Sequence, residues 1–95
     1  MVKLFEIKGK SERIIYLSDE RWKHIASKHP DINNIEDIKD TIILPLIIKQ
    51  DKFDESLYYY YRFDKQRKRY MMVSVKYLNG EGYILTSFYT KRIRR

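Results

Sequence analysis

The two histidines of this 95-residue chain, His24 and His29, are the side chains best suited to proton transfer near neutral pH. Together with neighbouring cations, and without clustered carboxylates, they suit cleavage of RNA that needs no metal ion. In that reaction a base removes the ribose 2′-hydroxyl proton, a cation or hydroxyl stabilises the phosphate, and an acid protonates the leaving oxygen. The competing interpretation makes His24 a surface residue and His29 a helix-end residue that binds the last carbonyls.

A short helix within Leu17–Pro30 (LSDERWKHIASKHP) is predicted to position both histidines. Ser18 and Asp19 are candidate caps, and Pro30 ends the helix because the residue before a proline avoids helical backbone angles. At about 100° per residue, His29 lies on the apolar side with Trp22, whereas His24 and Lys28 lie on the opposite side.

A metal site formed by these histidines is not expected. A separation of five residues places the two rings about 140° apart on a helix, and no third ligand lies close in sequence. The chain has no cysteine and neither a G-x-S-x-G motif nor a phosphate-binding glycine loop. We therefore predict no metal and no cofactor.

The net charge of +7 is concentrated in the last third of the chain. Residues 1–64 carry a net charge of −1, and residues 65–95 carry +8. Most of the excess lies in two clusters: Lys65, Arg67, Lys68, Arg69, and Lys91, Arg92, Arg94, Arg95. Either cluster alone is typical of a solvated turn or a basic tail, but two of them with many tyrosines between favour nucleic acid as the partner.

Hydroxyl, cationic and aromatic side chains of the later segments are further candidates for binding. Thr86 and Ser87 interrupt an apolar strand pattern, although threonine is also an ordinary strand residue. Lys76 is a candidate phosphate ligand or a solvated strand residue. Tyr58 and Tyr60 are candidates for base stacking or for the core.

Hydrophobic periodicity predicts an α+β domain over residues 1–95. Strands are expected at Val2–Ile7 and Arg13–Leu17, then the organising helix, then a second helix from Ile35 to about Leu44. A meander of about four strands follows: Leu46–Lys49, Leu57–Phe63, Arg69–Leu78 and Tyr83–Thr90. Asn79 to Gly82 is expected to form a hairpin turn longer than two residues, and residues 91–95 a mobile basic tail.

No apolar run approaches the length of a membrane span, and the N-terminus lacks a signal-peptide pattern. The absence of cysteine fits a reducing compartment. We therefore expect a cytoplasmic protein that is not attached to a membrane.

The pattern S-D-E-R-W-x-H-I-x-x-K-H-P, followed by I-I-L-P, Y-Y-Y-Y-R-F, M-M-V-S-V-K and I-L-T-S-F-Y-T, resembles the phage-associated branch of the barnase, EndoU, colicin and RelE-like nuclease superfamily. The resemblance covers roughly residues 13 to 93. It implies helices packed on a curved antiparallel sheet of about four strands, and a metal-independent endoribonuclease, often in toxin or phage-conflict settings.

The resemblance also implies site residues. His24 and His29 match the helix histidines, Thr86 matches the hydroxyl of the late strand with Ser87 beside it, and Arg62 and Lys76 correspond to phosphate-binding positions. His24 is then the expected base and His29 the acid. Two alternatives remain open: a non-catalytic nucleic-acid-binding module with the same fold, and a toxin-like partner of an acidic antitoxin or immunity protein.

Overall fold

The computed structural model describes residues 2–93, which form two helices and one six-stranded sheet. In chain order the elements are β1 (Lys3–Lys8), β2 (Ile14–Ser18), α1 (Asp19–Lys28), α2 (Ile35–Ile43), β3 (Ile47–Gln50), β4 (Leu57–Asp64), β5 (Arg69–Leu78) and β6 (Glu81–Thr90). The α+β class and the order of a hairpin, two helices and four strands agree with the sequence analysis.

The sheet differs from the expected four-stranded antiparallel one. Its strand order is β1-β2-β6-β5-β4-β3, and β2 pairs in parallel with β6, through Ile15 opposite Gly82 and Tyr16 opposite Tyr83. All other pairs are antiparallel. The predicted antiparallel meander of four strands is present as β3–β6, but the N-terminal hairpin extends it, through the parallel β2–β6 pair, into a mixed sheet of six strands.

The hairpin turn between β5 and β6 is also shorter than predicted. Leu78 pairs with Glu81, which leaves a two-residue loop of Asn79 and Gly80. Both loop residues have positive φ angles, 54° and 84°, as a type I′ turn requires. Asn and Gly tolerate this backbone conformation better than other residues do, so β6 begins two residues earlier than its apolar pattern indicates.

Local sequence accounts for both helices. The Ser18 hydroxyl accepts a hydrogen bond from the Arg21 N–H (3.1 Å), and the Asn34 side-chain oxygen Oδ1 accepts one from the Glu36 N–H (3.0 Å), so each helix begins at a capped position. Ile25 of α1 and Ile38 of α2 are fully buried in the core.

The strand register separates the sheet into two faces. The core face carries Val73 and Val75 of β5 with Ile84 of β6, and it contributes to one hydrophobic cluster with the buried helix isoleucines. The opposite face, here called the outer face, carries the alternate residues, including Tyr70 and Lys76. Because residues alternate along each strand, the register alone decides which side chains lie on the outer face.

The sheet also has two distinct ends. At one end, Tyr70 pairs with Thr90 and Asp64 with Arg69, so the β4–β5 turn lies beside the last residues of β6. At the far end, the β1–β2 turn, the β3–β4 loop and the β5–β6 turn come together. Neither helix among residues 2–93 has the length and apolar character needed to cross a lipid bilayer.

Candidate nucleic-acid interface

The two basic clusters, which are separated by about twenty residues in the sequence, lie together in the structure. Antiparallel pairing of β5 and β6 places Tyr70 opposite Thr90, so the turn that precedes β5 adjoins the segment that follows β6. We call this surface the basic end; its described cations are Lys65, Arg67, Lys68, Arg69, Lys91 and Arg92. Arg94 and Arg95, which the sequence analysis assigned to the same role, lie outside the described residues.

Arg67 holds the basic end in place. Its guanidinium forms an ion pair with Asp64 (3.0 Å), donates to the Asp31 carbonyl (3.2 Å) and lies 4.5 Å from the centre of the Tyr89 ring. Hydrogen bonds from the turn, first from the Arg67 backbone N–H, lower the pKa of Asp64, which keeps that carboxylate ionised as the partner. Arg67 therefore acts as a structural cation that ties the turn to the α1–α2 loop.

Four other cations of the basic end are free to bind a ligand. Lys65, Lys68, Lys91 and Arg92 are exposed, and none of them forms an ion pair with a carboxylate of residues 2–93. Exposed cations gathered on one surface raise the local concentration of polyanions. The charge asymmetry found in the sequence therefore becomes a single positively charged surface.

The C-terminal end of α1 brings His29 to the same region. His29 is the C-cap residue, its backbone N–H donates to the Ile25 carbonyl (2.8 Å), and its half-buried ring lies 5.7 Å from the Phe88 ring on β6. Lys28 beside it is exposed. The aromatic contact with Phe88 fixes His29 next to the last third of β6. His29 is therefore a packed helix-end residue, and it also remains a candidate for proton transfer at this position.

His24 lies one helical turn before Lys28, a rise of about 6 Å along the axis. Its side chain is exposed and makes no hydrogen bond or ion pair with the described residues. Arg21, on the preceding turn, lines a cavity of about 240 Å³ together with Lys76 and Leu85. Arg21 thus borders the outer face of the sheet, and at about 100° per residue His24 and Lys28 lie on the same side of α1 as Arg21.

The tyrosines predicted to stack on bases belong to the core face. Tyr60 is 1% exposed, and its hydroxyl shares a hydrogen bond with that of Tyr77 (2.5 Å). Burial raises the pKa of Tyr60, so the hydroxyl stays protonated. Tyr58 is half-buried and packs edge-on against Tyr77, with ring centroids 5.3 Å apart. The stacking prediction was therefore wrong for Tyr60. Tyr58 is held in a structural contact with Tyr77.

Three other aromatic residues lie on the outer face near the basic end. Phe63 is 43% exposed and packs edge-to-face with Tyr70 at 5.1 Å, and Phe88 lies on the neighbouring strand opposite Met72. None of the three was predicted from the sequence to bind a ligand. Alternation along each strand places Phe63 on the opposite face from Tyr60, and Tyr70 on the opposite face from Met71. Only the register between strands brings the rings of Phe63, Tyr70 and Phe88 onto one surface.

The residues assigned to the phosphate are divided between the two faces. Thr86 is half-buried on the outer face, where its backbone N–H donates to the Ser74 hydroxyl (3.2 Å) beside a bulge that leaves Leu85 without a partner residue. Lys76 shares that face and forms an ion pair with Asp54. Arg62 instead lies on the core face, since it pairs with Met71.

Ser87 is not accessible to a ligand. It is 0% exposed, it pairs with Val73, and its hydroxyl donates to the Met72 carbonyl at 2.7 Å. The prediction that Ser87 binds nucleic acid was wrong, because its hydroxyl completes a backbone hydrogen bond inside the core. Arg62 and Lys76 cannot serve one phosphate from opposite faces of the sheet, so the predicted catalytic group does not assemble as a whole.

Among residues 2–93, no group of three or more His, Asp and Glu side chains is close enough to hold a metal ion. Comparisons of the chain with protein-family models, with curated proteins and with solved structures found no match.

Proposed function

We propose that this protein binds single-stranded RNA at the basic end and cleaves it without a metal ion. The observation that carries the proposal is the junction of the two basic clusters beside the end of α1, where His29 lies against Phe88. Polyanion binding follows from the four unpaired cations there, and the chemistry follows from the histidines of the adjacent helix.

RNA is the preferred ligand because cations and aromatic rings occur side by side. Single-stranded bases stack on exposed rings while cations follow the phosphates. Phe63 and Tyr70 offer such rings at the basic end, and Phe88 lies next to His29. These three residues replace Tyr58 and Tyr60 in the proposal.

For cleavage, His24 is the proposed general base and His29 the proposed acid. His24 is exposed and makes no contact that fixes its ring, so it can reach a 2′-hydroxyl of bound RNA. Thr86 and Lys76, on the outer face that Arg21 of the same helix borders, would stabilise the charge on the phosphate. The product would carry a 2′,3′-cyclic phosphate, because the 2′-oxygen is the nucleophile.

The experiment is incubation of purified protein with a labelled single-stranded RNA in excess chelator. We expect cleavage that leaves a cyclic phosphate. His24→Ala should slow it by a factor of about 100 or more, the usual contribution of a general base, while RNA binding is kept. Lys23→Ala is the matched control, since Lys23 is exposed on the same helix and, within residues 2–93, pairs only with Asp19. Cleavage that requires a divalent ion would contradict the catalytic part of the proposal, and so would the absence of any cleavage.

A second candidate, a non-catalytic RNA-binding module, is favoured by the division of Arg62 and Lys76 between the two faces. It keeps the basic end and the aromatic rings but requires no proton transfer. Intact, salt-sensitive RNA binding together with no cleavage, unchanged by His24→Ala, would support this candidate over the nuclease.

A further inference from the structure

The sheet ends in two edge strands, β1 and β3, which are protected against further pairing to different degrees. β1 carries a bulge between Lys3 and Phe5, and its charged side chains form ion pairs, Lys3 with Glu6 (2.8 Å) and Lys8 with Glu12 (3.5 Å). Bulges and charges of this kind keep a sheet edge from pairing with another chain. β3 pairs with β4 in an unbroken register, so it is the edge that stays open to a further strand.

The backbone groups of β3 that face away from β4 belong to Ile48 and Gln50. The Asp51 N–H donates to the carbonyl of Leu57 directly across from it (2.8 Å), and hydrogen-bonded positions alternate along an antiparallel pair. Lys49 therefore bonds to β4, whereas its two neighbours direct their N–H and C=O groups outwards. No strand of residues 2–93 lies beyond β3, so these four groups are available to a partner strand.

Exposed apolar side chains gather around this edge. Five of the ten large hydrophobic residues that are exposed within residues 2–93 lie between positions 43 and 53: Ile43, Leu44, Leu46, Ile47 and Phe53. Leu44 and Leu46 are 62% and 63% exposed, and Phe53 in the β3–β4 loop is 97% exposed. Apolar residues that cluster on a surface mark a place of interaction. We call these five residues together with β3 the open edge.

The loop that carries Phe53 is held in a fixed shape. The Asp51 carboxylate accepts hydrogen bonds from the backbone N–H groups of Phe53 and Asp54 (3.0 Å each) and from the Tyr59 hydroxyl (2.7 Å). Asp54 in turn accepts one from the Ser56 N–H (3.0 Å). A loop that is already ordered loses little conformational freedom when a partner buries its aromatic residue. Phe53 is thus a preformed anchor for an interface.

A second copy of this chain fits the open edge. When β3 pairs with itself in antiparallel fashion about a two-fold axis at Lys49, Ile48 lies opposite the partner's Gln50 and all the outward groups are bonded. Lys49 then lies diagonally across from the partner's Asp51, within reach of a long side chain, and symmetry repeats this contact. Lys49 forms no ion pair with a carboxylate of residues 2–93. The hydrogen bond from Tyr59 lowers the pKa of Asp51, which is therefore ionised and complements this charge.

The same arrangement accounts for the exposed Phe53. Counted from the axis at Lys49, Phe53 lies at the level of the partner's Pro45, between the partner's Leu44 and Leu46. Packing of the ring against the two leucines removes apolar surface from water on both sides of the axis. We propose that the open edge forms a homodimer in which the two sheets join through β3. This inference uses no residue of the basic end and does not depend on the proposed RNA binding.

The first test is sedimentation velocity of the full chain at concentrations up to about 1 mM, which covers a weak contact. We expect a reversible shift from the 11.7 kDa monomer toward twice that mass. Phe53→Ser should weaken the association about tenfold or more, as the loss of an aromatic anchor predicts, and an exposed ring can be removed without disturbing the monomer.

Val2→Ser is the matched control. Val2 is 67% exposed beside β1, the opposite edge of the sheet, and its replacement should leave the association unchanged. A chain that stays monomeric at every concentration would overturn the proposal, and so would equal weakening by Val2→Ser and Phe53→Ser.

Amide hydrogen exchange measured by NMR identifies the edge itself. The N–H groups of Ile48 and Gln50 should exchange rapidly in dilute protein and become protected where the dimer prevails, while the N–H of Lys49 is protected at both concentrations. Gln50→Pro removes an outward donor but no bond to β4, a position where an edge strand tolerates proline, and it should weaken the dimer. If a dimer forms while exchange at Ile48 and Gln50 does not change with concentration, the copies associate elsewhere and the open edge is refuted.

Discussion

Removal of three exposed cations from the basic end should weaken RNA binding about 100-fold at 0.1 M salt. The variant is Lys65→Gln, Lys68→Gln and Lys91→Gln, and none of these lysines forms an ion pair with the described residues. Each phosphate contact to a single strand contributes a slope of about −0.7 to a plot of log affinity against log salt. Three lost contacts change the slope by about 2, and the two affinities should converge near 1 M salt. Fluorescence anisotropy with a labelled oligouridylate over a range of salt concentrations measures both quantities.

The matched control removes the same charge from the far end of the sheet. Lys8, Lys10 and Lys52 are exposed in or beside the β1–β2 turn and the β3–β4 loop, away from the basic end. Their replacement by glutamine should leave the slope within about 0.5 of the unmodified value, because they contact no phosphate. Equal losses in the two triple variants would mean that net charge alone attracts RNA, and the argument for a localised interface would then be refuted.

Three further predictions concern the frame that carries this interface. Ser87→Ala should lower the free energy of unfolding by about 1–2 kcal/mol without changing RNA affinity, since its buried hydroxyl donates to a strand carbonyl; chemical denaturation and anisotropy measure the two effects. Gly82→Ala should cost about 1–3 kcal/mol in the same denaturation assay, because the added methyl would lie 2.8 Å from a methyl carbon of Val75; an unchanged midpoint would show that the strands can move apart. The hydrogen bond from Lys76 lowers the pKa of Asp54 to about 2. The ionised Asp54 therefore stabilises the fold above its ordinary pKa near 3.8, and this stabilisation is lost as the pH falls toward 2. Asp54→Asn should flatten that part of the pH–stability profile measured by denaturation.

The order of elements could be predicted from sequence because each carries a local signal. Ser18 and Asn34 mark the helix starts as caps, and Arg69–Leu78 alternates so clearly that its predicted and observed limits coincide. The parallel contact between β2 and β6 could not be predicted in this way. It joins segments from opposite ends of the chain, and a periodic pattern within one strand contains no information about its neighbour.

The candidate site was predictable to the extent that it depends on charge and on residue type. The two basic clusters were visible in the sequence, but their proximity follows from Tyr70 pairing with Thr90. Tyr60 and Ser87 were misassigned because a tyrosine and a serine can satisfy their hydroxyls inside a core, and the partners that do so are distant in sequence.

The central place of β6 in the sheet has a consequence for the newly synthesised protein. On the ribosome, β1, β2, α1 and α2 emerge early, yet β2 can pair with β6 only after nearly all the described residues have been made. Contacts so distant in the chain form late, and until then β2 and β5 each expose an unpaired edge. The cations of the β4–β5 turn and those that follow β6 also remain apart until that strand docks. A nascent chain should therefore bring the cations of the basic end together only in the last step of its folding, so the proposed RNA binding would begin only once β6 has docked.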